Sequence, residues 1–234
     1  MSGAAVSRRL APALIAIAIF ASAVAPAQAQ SKPQPQASTT KPRPSRSVSI
    51  GGYATFGLIS FTATESFDAI LGTTSGPIFG GGARVGLPWG GLFADVGAWR
   101  FHGNGERAFV FDGDVIPLGI PVDVTVTPIE ISGGWRFRIR SLPKLSPYVA
   151  GGLTAMKYHE SSDGSTSADD VDDTFNGYHV LGGAEYKITR WLGVAGEASW
   201  TTVPDAIGES GVSAVFNETD LGGATFRFKI TVGR

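Results

Sequence analysis

Charged residues that alternate with apolar ones are the groups in this sequence that could do chemistry. Near the end of the chain, Arg227 and Lys229 lie between Phe226, Phe228 and Ile230. A repeat of two is the period of a β-strand, whose successive side chains point to opposite faces. One face therefore carries the charges and the other the apolar residues. A soluble sandwich would turn the charges to water, whereas a barrel that crosses a membrane would turn them inward.

The same alternation in other runs collects ten charged residues on the polar faces. They are Arg84, Asp95, Glu130, Arg136, Arg138, Glu185, Lys187, Glu197, Arg227 and Lys229. An eight-stranded barrel is only wide enough to be filled by its own side chains. Because leaving a charge unpaired away from water costs on the order of several kcal/mol, we expect a structural ion-pair network.

Two functional alternatives start from the same charges. A wider barrel or a mobile network would make them a narrow path for water or ions. Glu185 and Glu197, inward on adjacent strands, could also form an acid–base pair. Carboxylates beside several cations are better explained as salt-bridge partners.

Eight strand-like runs of about ten residues position these groups. They are 47–61, 77–87, 92–102, 122–140, 147–159, 176–189, 191–203 and 218–232. Short connections alternate with long ones. The long connections are 62–76, 103–121, 160–175 and 204–217. This order predicts an all-β fold, an eight-stranded antiparallel up-and-down transmembrane β-barrel with short periplasmic turns and long external loops. A ten-stranded barrel and a soluble periplasmic sandwich or lipocalin-like barrel are the alternatives.

Face assignments support the barrel. The third run fits this pattern least well, because an inward Asp95 also turns Phe93, Trp99 and Phe101 inward and leaves Arg100 outside. Aromatic residues near the ends of the proposed lipid faces are typical of interfacial girdles. These residues are Phe79, Trp135, Phe137, Tyr178, Tyr186 and Trp200.

The first 46 residues indicate export. Arg8 and Arg9 precede an apolar run that ends in Ala27-Gln28-Ala29, the order of a cleaved signal peptide over residues 1–29. Residues 30–46 are rich in proline and carry four cations, which predicts a disordered periplasmic linker before a barrel domain at 47–234. Removing the signal leaves 17 basic and 20 acidic residues. No cysteine is present, so disulfides and thiolate sites are excluded. We expect no cofactor and no nucleic-acid partner.

The motif Gly183-Ala-Glu185-Tyr186-Lys-Ile-Thr-Arg-Trp191, which leads into Gly196-Glu197-Ala-Ser-Trp200, carries a family resemblance. With the export signal and the paired strands, it resembles small outer-membrane β-barrel proteins of the OmpA/OmpX-like superfamily. Gly223, Phe226 and Phe228 are similar to the assembly signal that the outer-membrane insertion machinery reads. The resemblance implies contact with outer-membrane lipid and lipopolysaccharide, and it concerns architecture rather than activity.

One motif resembles an enzyme. His159-Glu160-Ser161 is similar to the His-x-Ser of lipid A deacylases, in which His activates Ser as the nucleophile. Ser162 replaces the Asn of that motif, and no matching acid can be placed. We therefore expect a non-enzymatic, structural or adhesive surface protein that acts through external loops. A small porin-like channel and a lipid A-modifying hydrolase are the alternatives.

Overall fold

The structure, a computed structural model, describes residues 48–112, 114–162, 171–209 and 211–233. Eight antiparallel strands form a closed barrel in chain order, and β8 pairs with β1 to close it. The strands are β1 Ser49–Phe61, β2 Ser75–Gly86, β3 Leu92–Phe111, β4 Asp114–Arg136, β5 Leu145–Ser162, β6 Val171–Lys187, β7 Leu192–Val203 and β8 Leu221–Gly233. The predicted fold class is confirmed.

Residue exposure follows the period-two alternation and is inverted relative to a soluble protein. In β8, Phe226 is 66 % exposed and Ile230 is 45 % exposed, whereas Arg227 is 5 % exposed and Lys229 only 2 %. Apolar side chains cover the outside of the barrel and charged ones lie inside. This inversion is expected where hydrocarbon, rather than water, surrounds the wall, and it argues against the soluble sandwich.

The two ends of the barrel differ. At the end called here the turn end, residues 87–91, 137–144 and 188–191 make short connections. At the opposite end, called the loop end, helix α1 (Thr64–Leu71) lies between β1 and β2, and helix α2 (Gly211–Val215) lies between β7 and β8. Among the described residues, neither helix nor any other is long and apolar enough to cross a membrane.

The segment 103–121 is mostly strand, and its prediction as a loop was wrong. β3 and β4 continue as a two-stranded hairpin whose last pair joins Phe111 to Asp114. Asp112 takes a left-handed φ of 51° at the turn, a conformation that Asp tolerates well. A register shift lies between Glu106 and Ala108, opposite Gly119 with a φ of 67°. The Asp-Gly pair at 112 and 113 is a hairpin signal that the loop-like composition obscured.

The fourth predicted run extends too far at the turn end. β4 ends at Arg136 rather than Arg140. The amide of Leu142 donates to the carbonyl of Ile139 at 3.2 Å, so the chain has already turned there. The face assignment of the third run is confirmed, because Phe93, Trp99 and Phe101 are buried inside and Arg100 is exposed.

Candidate functional site

The interior of the barrel contains two layers along its axis. Charged and hydroxyl side chains, together with a small cluster of Phe93, Tyr148 and Leu181, fill the half next to the turn end, whereas apolar side chains fill the half next to the loop end. No water or ligand is needed to connect the charged groups, because they contact one another directly. The arrangement of each layer determines what the interior can do.

The centre of the charged layer is a cluster of Glu130, Glu197, Arg227 and Lys229, called here the central cluster. Arg227 Nη1 lies 2.7 Å from Glu130 Oε2, and Arg227 Nη2 lies 2.7 Å from Glu197 Oε1. Lys229 Nζ donates to Glu197 Oε2 at 2.8 Å. Two cations thus face two carboxylates, and Glu130 reaches Arg227 from the opposite side of the barrel.

Aromatic donors complete the coordination of both carboxylates. Trp99 Nε1 donates to Glu130 Oε1 at 3.0 Å, and the Tyr148 hydroxyl donates to Glu197 Oε2 at 3.0 Å. These inward aromatics therefore have polar partners, which explains why a barrel can bury them on its charged face.

A second cluster, called here the rim cluster, lies nearer the turn end and consists of Arg84, Asp95, Arg136 and Glu185. Arg84 Nε donates to Asp95 Oδ2 at 2.7 Å, and Arg136 Nη2 donates to Glu185 Oε2 at 3.0 Å. Arg84 Nη1 lies 3.8 Å from the same Glu185 oxygen. Glu185 is therefore shared by two guanidinium groups.

His179 lies at the boundary of the two layers. It is 1 % exposed, with Nε2 2.8 Å from the Ser132 hydroxyl and Nδ1 2.7 Å from the Thr154 hydroxyl. A neutral imidazole can donate at one nitrogen and accept at the other, so both ring atoms are satisfied. A buried Ser-His contact of this kind lacks access for a substrate, and we interpret it as structural packing.

The apolar layer, called here the apolar plug, closes the half of the interior next to the loop end. The Phe67 ring of α1 stacks on Phe61 with ring centroids 3.9 Å apart, and Phe101 meets Phe61 edge-on at 4.9 Å. The other buried members come from the strands and their connections at this end: Ile59, Ala63, Ile78, Trp99, Val124, Val126, Met156, Val203, Ala206 and Leu221. α1 thus contributes a side chain to the barrel interior.

Sequence reasoning missed most of this plug, although β4 carries a signal for it. Val122, Val124 and Val126 face inward, whereas Ile129 and Ile131 face outward. The apolar residues change from even to odd positions across Pro128. When the apolar residues of one strand move from even to odd positions, they move from one face of the strand to the other. In β4 they therefore face the barrel interior before Pro128 and the exterior after it.

Eight of the ten predicted interior charges are in the central and rim clusters. The other two, Arg138 and Lys187, are exposed at the turn end. Arg138 lies beyond the last residue of β4, where the alternation of the strand no longer determines which way a side chain points. Lys187 is the last residue of β6. Neither belongs to an ion pair that the structure describes.

The predicted assembly and girdle residues lie on the wall of the barrel. Phe226 and Phe228 are exposed there, and Gly223 pairs with Phe61 across the β1–β8 seam. The six predicted girdle aromatics are all exposed as well.

Within the described ranges, the structure gives no support to a catalytic or metal site outside the barrel. His159 is exposed near the end of β5, and no hydrogen bond in the described part of the chain joins it to Ser161. No group of described residues is arranged to hold a metal ion. The predicted signal peptide and linker, at 1–29 and 30–46, lie outside the described residues.

A cavity of about 120 Å³ opens at the turn end. Its lining includes Arg84, Arg136 and Glu185 of the rim cluster, together with Lys187 and Arg190. It lies between the first residues of β1 and the β6–β7 turn. The mouth of the barrel at this end is therefore open and cationic, in contrast to the plugged loop end.

Solved structures of several outer-membrane proteins resemble this barrel. A major outer membrane protein of Thermus thermophilus is 10 % identical with a TM-score of 0.50, over 80 % of this chain and 99 % of that one. Neisserial surface protein A is 16 % identical with a TM-score of 0.48, over 79 % and 96 % of the two chains. OprG of Pseudomonas aeruginosa is 11 % identical with a TM-score of 0.45, over 80 % and 93 %. At such identities the likeness concerns the fold.

Comparison of sequences gives the family. No curated protein has a significantly similar sequence. A family profile described as "Outer membrane protein beta-barrel domain" matches residues 14–229. That range contains nearly all of the barrel whose apolar exterior and charged interior are described above. The chain therefore belongs to the outer membrane protein beta-barrel domain family.

Proposed function

We propose that this outer-membrane barrel is a closed, non-enzymatic surface protein with a structural and adhesive role, and that it acts through the hairpin formed by β3 and β4. The turn end faces the periplasm and the loop end faces the cell exterior, as in barrels with short periplasmic turns. The signal peptide at 1–29 and the linker at 30–46 are part of this proposal as the route of export.

The length of the hairpin is the observation that carries the proposal. β3 has 20 residues and β4 has 23, whereas β7 has 12. A tilted strand crosses the hydrocarbon region in roughly 9–11 residues. The outer parts of β3 and β4 therefore project beyond the membrane, while a strand as short as β7 ends close to it.

The tip of the hairpin exposes a group of apolar side chains. Phe109 is 53 % exposed and Phe111 is 66 % exposed, and Ile116, Leu118 and Ile120 are also exposed. Contiguous exposed apolar residues in water are typical of interaction surfaces. They offer an extracellular partner an apolar patch on a two-stranded support.

A polar belt separates this tip from the lipid-facing wall. Arg100, His102, Asn104, Asp123 and Thr125 are exposed or half-buried on the outer face of the two strands. The Asn104 amide donates to the Asp123 carboxylate, and Arg100 Nη2 donates to the Thr125 hydroxyl at 3.3 Å. Because charged side chains are unfavourable in hydrocarbon, the belt supports placing the tip outside the membrane.

The filled interior supports a closed barrel over the channel alternative. An ion entering from the periplasm would have to displace the ion pairs of the central cluster and then cross the apolar plug. Both steps are unfavourable, since the first leaves charges unpaired and the second strips the ion of water. The exposed His159, which shares no described hydrogen bond with Ser161, likewise offers little support for the hydrolase alternative.

The proposed partners follow from the residues on the outer surface of the barrel. Outer-membrane lipid and lipopolysaccharide would contact the apolar wall and its aromatic residues. Gly223, Phe226 and Phe228 on β8 would be read by the insertion machinery, because this strand forms the closing seam with β1.

An attachment assay tests the proposal. Bacteria without adhesins of their own would display the chain, and their binding to cultured epithelial cells and to one another would be measured. The test variant carries Phe109→Ser and Phe111→Ser. The control carries Asp68→Ser and Glu209→Ser, two exposed external positions away from the tip.

We expect the wild type and the control to attach and the tip variant to fall to the level of cells without the protein. Equal surface amounts must be shown by the gel-mobility shift that folded barrels display on heating. Attachment that survives the tip substitutions would contradict the proposed role of the hairpin.

A further inference from the structure

The periplasmic mouth of the barrel carries more positive charge than its own carboxylates can neutralise. Arg84, Arg136, Lys187 and Arg190 line the cavity, and Glu185 is the only carboxylate among its lining residues in the described chain. Even when Asp95 is included as the partner of Arg84, four cations face two anions. The described residues of the site therefore carry a surplus of two positive charges.

The pairing inside the mouth is also incomplete. Glu185 lies 3.0 Å from Arg136 and 3.8 Å from Arg84, so one carboxylate serves two guanidinium groups. Arg136 Nε is buried and has no hydrogen-bond partner in the part of the chain that the structure describes. A buried donor without a partner is unusual, because the hydrogen bond that it loses to water is not replaced within the protein.

A tight turn fixes the backbone beside the two outer cations. The Thr189 hydroxyl accepts hydrogen bonds from the amides of Trp191 at 3.2 Å and Leu192 at 3.0 Å. The carbonyl of Trp191 accepts from the amide of Gly233 at 2.9 Å, which joins the turn to β8. Lys187 and Arg190 flank this fixed turn, so less backbone entropy is lost when they bind a ligand.

The volume of the cavity limits the size of the ligand that can bind in it. The cavity of about 120 Å³ is well above the roughly 10–15 Å³ that a single water needs. It is suited to one oxyanion group with a few waters, and guanidinium groups match the geometry of carboxylates and phosphates. Its inner part is lined by Arg84, Arg136 and Glu185 of the barrel interior, so a ligand that contacts these groups enters along the barrel axis from the periplasm.

We propose that the periplasmic mouth is an oxyanion-binding site, in which Arg136, Lys187 and Arg190 bind a carboxylate or a phosphate group. Arg84 and Glu185 hold Arg136 in position. Two sources share this chemistry: a free phosphate ion, or a carboxylate presented by the peptide chains of the cell wall. The second source would attach the barrel to the wall from its inner side.

The test is calorimetric titration of the full chain, refolded in detergent micelles at low ionic strength. One titration uses sodium phosphate and the other uses a soluble muramyl peptide with free carboxylates. The site variant is Lys187→Gln with Arg190→Gln, and Arg190→Gln alone serves as a milder second variant. The matched control is Arg140→Gln with Lys144→Gln, two exposed cations on the neighbouring turn that do not line the cavity.

We expect one anion per barrel, and binding roughly tenfold weaker or more in the double site variant, since each lost cation removes a charge-assisted contact. The control should change affinity by less than about twofold. Tighter binding of the muramyl peptide than of phosphate would assign the ligand to the wall, and equal binding would assign it to the small ion. Absence of binding by the wild type, or equal weakening in the control, would overturn the proposal.

Discussion

Replacing Arg227 by methionine tests whether the interior charges hold the barrel together. Arg227 contacts Glu130 and Glu197 at 2.7 Å each, and the three side chains are at most 7 % exposed. Methionine keeps most of the volume and removes the charge. Glu130 then keeps only the Trp99 donor, whereas Glu197 keeps Lys229 and Tyr148.

The expected loss in the free energy of unfolding follows from the partners that Glu130 and Glu197 keep. One carboxylate is left buried without a cation, and removing one partner of a buried pair costs roughly 3–5 kcal/mol. Adding Glu130→Gln should recover most of that loss, because a neutral amide needs no cation and its oxygen can still accept from Trp99. Lys229→Met alone should cost less, about 1–3 kcal/mol, since Glu197 keeps Arg227.

Urea unfolding of the barrel in lipid vesicles, followed by tryptophan fluorescence, measures these differences. The order of stability should be wild type, then the double variant Arg227→Met with Glu130→Gln, then Arg227→Met alone. A loss below about 1 kcal/mol for Arg227→Met would refute the reasoning, because it would mean that water solvates the interior carboxylates.

Two further predictions concern the wall of the barrel. Leu153 is 71 % exposed near the middle of β5, and Leu153→Arg should lower the free energy of unfolding by roughly 2–4 kcal/mol. Val48→Arg at the turn end should lower it by only about 0–1 kcal/mol; equal losses in vesicle unfolding would reject the membrane placement. A Cβ on Gly57 would overlap the Phe226 carbonyl across the β1–β8 seam, whereas one on Gly133 would have no neighbour within 4 Å. Gly57→Ala should therefore cost about 1–3 kcal/mol and Gly133→Ala much less, and the reverse order would show that the seam is not closed as described.

The sequence predicted eight strands and most of their faces because both depend on local alternation, although the outer parts of β3 and β4 were predicted as a loop. Arg227 and Phe228 are adjacent in the chain, and a period of two places them on opposite faces wherever the strand lies. Even Trp99 and Phe101, apolar residues on a charged face, were placed inside by the position of Asp95 on the same strand.

The pairing of charges across the interior could not be predicted in this way. Glu130 on β4 and Arg227 on β8 are 97 residues apart and lie on strands that are not neighbours. Their contact depends on the barrel radius and on side-chain rotamers, which alternation does not encode. The apolar plug was missed for a similar reason, since Phe67 reaches the interior from a helix that composition had suggested was a loop.

Conductance of the purified barrel in planar lipid bilayers tests the central claim, that two layers of side chains close the interior. We expect no stable current steps above the leak of the bilayer over the range of voltages at which the membrane remains intact. Reproducible steps of constant size would contradict the claim, because they would require an open aqueous path through both the central cluster and the apolar plug.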